Sequence, residues 1–168
     1  MRRRVVTTIV VLLATTGVAT ANASGVGPSA SGSSRLTVHD VFGLDTLVLQ
    51  EFGFSAKVMS DGSAQGWFDY RHLEDGTPFT AGGSVTCLTV IGDDAWIGGT
   101  IVKSNEPSFI GLGGWWHVTD NGEGHASSPD ITTFLGVGSL ADTAAFCADH
   151  PPYRFPFPID AGNIQVRD

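Results

Sequence analysis

His117, Asp120, Glu123 and His125 fall within one short stretch and form the chain's densest set of side chains able to hold a cation. Carboxylate oxygens suit calcium and imidazole nitrogens suit zinc, so a turn that converged all four would make a divalent-metal site. A plainer reading competes. Asp120-Asn121-Gly122 is first a turn sequence, with the Asp side chain capping nearby backbone and Gly supplying positive φ. Its spacing matches neither an EF-hand loop nor a His-Glu-x-x-His helix. The turn is therefore preferred, and no cofactor is expected.

Trp67, Trp96 and Trp115 offer a second kind of chemistry, because an exposed indole can stack on a sugar ring or anchor a protein partner. Burial beneath another segment is the alternative. Carboxylate pairs for acid–base work can be drawn among Asp69, Glu74, Asp120 and Glu123, but seventeen acids make some such pair nearly inevitable. The chain has no Gly-x-Ser-x-Gly elbow, P-loop, dinucleotide fingerprint or Cys-x-x-Cys, which argues against nucleophilic, phosphate, redox-cofactor and zinc-ribbon chemistry. His39, His72 and His150 stand in unrelated contexts. No catalytic residue is assigned.

The elements that must position these groups read as strands. In Val85–Val102 a two-residue Gly92-Asp93 loop sets Val90 against Ala95, Leu88 against Ile97 and Thr86 against Gly99, which gathers the aliphatic residues on one face. Cys87, Thr89 and Trp96 then share the other face. Before it, Phe52, Phe54, Ala56 and Val58 alternate with polar residues, and Ala64, Gly66, Phe68 and Tyr70 do the same. A three-residue loop Ser60-Asp61-Gly62 pairs Val58 with Ala64, Phe54 with Phe68 and Phe52 with Tyr70, and brings Glu51 opposite Arg71. Further strands are expected at Leu36–Val41, Phe109–Thr119, Ile131–Val137 and Gly162–Val166, the last pairing back toward the start. Asp142–Phe146 reads as a helical turn or a strand, and the prolines of 151–158 impose an extended run.

Short strands with turn-length connections, and no long amphipathic helix, predict an all-β antiparallel meander. Pairing of the terminal segments would close it into a small barrel, with a two-layer β-sandwich as the alternative way to hide the edges.

Met-Arg-Arg-Arg, an apolar run over 5–14 and Ala21-Asn22-Ala23 compose a signal peptide over 1–23, too short and too Thr-broken to span a bilayer. Ser/Gly-rich 24–34 reads as a disordered leader and 35–168 as a single β-domain. Secretion places Cys87 and Cys147 in an oxidising exterior, where two cysteines read as one disulfide. Such a bond closes a loop of about 60 residues and is worth about 4 kcal/mol in the chain-entropy model. The segment around Cys147 would then cross the outer face of the hairpin as a strap. The chain's net charge is −8 before Arg2, Arg3 and Arg4 are lost with the signal. That surface argues against nucleic acid and anionic membranes.

Phe52-Gly53-Phe54, Gly66-Trp67-Phe68-Asp69-Tyr70, Leu88-Thr89-Val90-Ile91-Gly92, Ala95-Trp96-Ile97-Gly98-Gly99 and Val118-Thr119-Asp120-Asn121-Gly122-Glu123 follow one another in order. This order resembles that of uncharacterised secreted bacterial β-domain proteins. The resemblance covers about Leu47 to Val137, implies a shared β-domain and brings no catalytic residues. The expectation is an extracellular, non-enzymatic binding or surface module whose ligand is a carbohydrate, a protein or a small apolar molecule. The alternative is a small barrel enzyme, cyclase- or isomerase-like, or a carrier holding an apolar compound in its lumen.

Overall fold

In the computed structural model the residues described are 27–39, 47–74, 76–124, 127–152 and 154–168, so the expected signal peptide over 1–23 and His125 lie outside them. The strands are β1 (Ser29–His39), β2 (Leu47–Val58), β3 (Ala64–Glu74), β4 (Thr77–Ile91), β5 (Asp94–Ser104), β6 (Gly113–Thr119), β7 (Ile131–Thr132), β8 (Gly136–Gly138), β9 (Phe157–Pro158) and β10 (Ala161–Arg167). Among the described residues one α-helix, α1 (Leu140–Asp149), separates β8 from β9. All strands join one antiparallel sheet in the order β10-β1-β2-β3-β4-β5-β6-β7-β9, with β8 pairing on β6.

Period-two patterning sends alternate residues of each strand inward. Phe52 and Phe54 of β2 and Phe68 and Tyr70 of β3 meet Ile97 of β5 and Trp116 and Val118 of β6, all buried. The Trp116 ring lies 4.6 Å from Phe52 and 5.2 Å from Phe68, so the two halves of the curled sheet touch through aromatic contacts.

The two hairpins show why burial is a sound guide to register. Val58 pairs with Ala64, Phe54 with Phe68, Phe52 with Tyr70 and Glu51 with Arg71, around a loop in which Gly62 takes a φ of 83°. Val90 pairs with Ala95 and Leu88 with Ile97, and Gly92 takes a φ of 61° in the turn. The expected Thr86–Gly99 pair is corrected: a bulge at Thr86 sets Val85 against Gly99, while Cys87 opposes Gly98. The bulge keeps both Val85 and Leu88 buried on the core side.

Three larger expectations are also corrected. Ser29–Ser34 is not a disordered leader but the first half of β1, paired with β2 on one side and β10 on the other. Its small residues give little apolar surface, yet they allow close approach: a Cβ on Gly32 would stand 2.4 Å from the Asn163 carbonyl oxygen. The expected strand Ile131–Val137 is interrupted into β7 and β8. His117 N–H there donates to the Thr133 hydroxyl at 3.0 Å, and Thr133 N–H to the His117 carbonyl at 3.0 Å, so a side chain replaces a rung of the ladder.

Finally, the sheet does not close into a barrel, and the open, two-layer alternative fits. β10 does pair back onto β1, but its other edge meets no strand, because the opposing segments β7 and β9 are two residues each and run among Pro129, Pro156 and Pro158. Carboxylates cover that edge instead. Ile164 N–H donates to Asp130 at 2.8 Å and Val166 N–H to Asp120 at 3.0 Å. Charged acceptors thus satisfy backbone donors that an open edge would otherwise expose.

Candidate ligand cleft

β6 alternates across the sheet, so Trp116 and Val118 enter the core while Trp115, His117 and Thr119 face the opposite, outer side. α1 lies over that outer face. Its start is fixed by a capping box, in which Ser139 Oγ accepts from Asp142 N–H at 3.1 Å and the Asp142 carboxylate accepts from Ser139 N–H at 3.0 Å. The Ser139 hydroxyl also donates to Asp142 Oδ2 at 2.7 Å, and that bond, with the one from Ser139 N–H, holds the Asp142 carboxyl below the usual range. The Cys87–Cys147 disulfide ties the far half of the helix to β4, which makes the expected strap helical. Close packing needs bare backbone beneath: a Cβ on Gly98 would stand 2.5 Å from Thr143 Cγ2 and 2.7 Å from Cys87 Sγ.

Beside the helix lies a cleft of about 440 Å³, walled by Trp115, Phe134, Leu135, Phe146 and Phe155 and completed by Pro151 and Pro152. Its polar groups are His117, Thr133 and Arg154. No carboxylate lines it among the described residues, although the chain as a whole is strongly acidic.

His117 is held on three sides. Register sets it directly across from Trp96, whose ring stacks on the imidazole at 4.2 Å and 16°. Its Nε2 lies 3.2 Å from Asp94 Oδ1, and the same carboxylate oxygen accepts from the Thr119 hydroxyl. Burial pushes the His117 pKa down to about 4, with Asp94 opposing the shift. The imidazole is accordingly neutral at ordinary pH. Trp96 is itself closed over, 8% exposed, and its Nε1–H donates to the Pro151 carbonyl at 2.9 Å.

A second buried network supports the opposite wall. Gln50, fully buried, donates from Nε2 to the Thr133 carbonyl at 3.3 Å and accepts from the Tyr70 hydroxyl at 3.1 Å. Tyr70 also lies 3.2 Å from His72 Nδ1, and burial raises its pKa. Phe134 packs edge-on to His72 at 5.8 Å and tilts against Phe157 at 4.8 Å. Thr133–Leu135 is thereby anchored from the core side while it faces the cleft on the other.

The sequence-predicted site residues are dispersed. Of the three stacking candidates, Trp115 walls the cleft, Trp96 is covered by the chain after α1, and Trp67 stands half-exposed on a different part of the sheet. The metal set is not assembled: His117 is engaged with Asp94, Asp120 accepts from Gly122 and Val166, and Glu123 accepts from the Asn163 and Gln165 side chains at 3.1 and 3.2 Å. Among the described residues no three His, Cys, Asp or Glu are placed to hold an ion, and His125 falls outside them. The candidate acid–base residues Asp69 and Glu74 face Lys103 at 2.6 Å and His72 at 3.7 Å, far apart in role. Sequence reading missed Phe134, Phe146, Arg154 and Asp94; the signal for Asp94 was the β5–β6 register, which pairs it with Thr119 once Trp96 is set against His117. Comparison of the chain with protein-family models, curated proteins and solved structures gives no match.

Proposed function

We propose that this protein is an exported, non-enzymatic binding module whose ligand is a small apolar molecule, ring-bearing and carrying one anionic or strongly hydrogen-bond-accepting group. The cleft beside α1 carries the reading. Its volume is within the range of small-molecule sites, and its composition, apolar walls with a few convergent polar groups, is what such sites share. Trp115 and Phe146, with ring centroids 6.2 Å apart, offer flat surface, and Arg154 is the one cation on the lining. Thr133 and Arg154 supply the cleft's hydrogen-bonding groups, while the His117 ring nitrogens are buried and its ring adds to the wall. Export is supported by the N-terminal pattern and by the disulfide, and no described helix is long and apolar enough to cross a membrane.

The test uses 8-anilinonaphthalene-1-sulfonate, an aromatic anion whose fluorescence rises in apolar surroundings. Titration into the folded protein should saturate at one site. Trp115→Ala and Arg154→Gln should each weaken it by about tenfold, or 1.4 kcal/mol. Absence of saturable binding, or binding indifferent to both substitutions, overturns the proposal.

A further inference from the structure

The outer surface of the sheet is covered by α1 over β4–β6 and left bare over β1–β4. There the ladder aligns outward residues into rows running across the strands. One row is Arg35, Glu51 and Arg71; the next is Ser33, Gly53, Asp69 and Gly82, ending at Lys103; a third is Ser31, Ser55, Trp67 and Ser84. The first two rows floor an open groove of about 840 Å³. Arg71 pairs with Glu51 at 3.1 Å and Lys103 with Asp69 at 2.6 Å, so each charged head is held in place by its neighbour. Trp67, two residues before Asp69 on β3, stands at the end of the groove. Half exposed, it leans over β2, its ring edge 3.7 Å from where a Cβ would stand on Gly53, which lines the groove.

We propose that this face binds a neutral oligosaccharide laid along β3, with one sugar ring on Trp67 and ring hydroxyls on the Asp69–Lys103 and Glu51–Arg71 pairs beyond it. A sugar presents C–H groups on one face, which suit an indole, and hydroxyls at its rim, each able to donate and accept. The groove offers donors and acceptors in alternation at matched positions. Two of its three cations are matched by Glu51 and Asp69, so the groove carries little net charge and offers a polyanion little attraction. Phe52 and Tyr70 beneath it are turned into the core, so the groove itself offers no large apolar side chain of the kind that centres a protein interface.

This site is independent of the cleft beside α1, and the experiment separates them. Binding of cellohexaose, xylohexaose and chitohexaose is measured by titration calorimetry, with polygalacturonate as the acidic comparison. At least one neutral hexaose should bind saturably. Trp67→Ala and Arg71→Gln should each weaken it by about tenfold or more, while Trp115→Ala leaves it unchanged and Trp67→Ala leaves anilinonaphthalene sulfonate binding unchanged. Near-ultraviolet circular dichroism confirms that the variants fold. Failure of all three neutral hexaoses to bind at millimolar concentration, binding that survives Trp67→Ala, or binding confined to polygalacturonate overturns the proposal.

Discussion

At the scale of single residues, His117, stacked on Trp96 and set 3.2 Å from Asp94, is the most informative group. Its folded-state pKa, about 4, lies below the ordinary value of 6.5, so between those values the unfolded chain binds the extra proton and the folded chain does not. Stability contributed by the neutral imidazole is therefore complete above about pH 6.5, falls as pH drops through this window, and is exhausted near pH 4. The shift corresponds to about 3 kcal/mol. Urea denaturation at steps between pH 4.5 and 7.5 should show this slope in the wild type, and His117→Gln should flatten it. Asp130 makes the second residue-scale prediction. Its carboxylate accepts from Ile164 N–H at 2.8 Å and Asn121 N–H at 2.9 Å from a position 6% exposed, so Asp130→Ala leaves two inward-facing donors without their acceptor. The expected cost is about 3 kcal/mol in denaturant unfolding, with faster hydrogen exchange confined to β10.

At the scale of elements, α1 is held by a disulfide and by the bare backbone of Gly98 and Gly113, where a Cβ would stand 2.5 Å and 2.0 Å from Thr143 side-chain atoms. Removing the bond with Cys87→Ser and Cys147→Ser together should cost about 2–4 kcal/mol. Gly98→Val is a sharper probe, since even a Cβ there collides with Thr143 and Cys87. It should destabilise by about 1–3 kcal/mol and weaken anilinonaphthalene sulfonate binding, because the helix that carries Phe146 must move away from β5. The same comparison shows what was legible beforehand. The β2–β3 and β4–β5 registers followed from burial because a one-residue slip would have exposed Phe52 or Leu88, a penalty written in the residues themselves. The length of α1 was not legible: Leu140–Asp149 has only Thr143 and Cys147 buried, too thin an apolar stripe to announce a helix, and its capping box lies in Ser139 and Asp142 with no strong periodicity behind them. β1 was missed for a related reason. A Ser/Gly stretch has low intrinsic strand preference, and here two neighbouring ladders override it.

At the scale of the whole molecule, one antiparallel sheet curls over an aromatic core and presents two different outer surfaces, one roofed by a helix and one open. Strand content and the Cys87–Cys147 link were readable from alternation and cysteine count. Closure was not, because whether β10 meets β6 and β7 depends on where Pro129, Pro156 and Pro158 break the ladder and on Asp120, Glu123 and Asp130, the first two of which stand in the sequence within a metal-like cluster. Asp120 and Glu123 turn out to serve β10, and the stability they lend is structural. The cleft was likewise hidden, since its walls come from β6, the 133–135 segment, α1 and the chain after it, which are brought together only by the fold.

The central claim is that the space beside α1 is a ligand site, and a crystal structure of the protein grown with anilinonaphthalene sulfonate tests it most directly. The account predicts the naphthalene in the cleft against Trp115 and Phe146 with the sulfonate at Arg154. Density for the probe elsewhere on the surface, with the cleft holding only solvent, would contradict it.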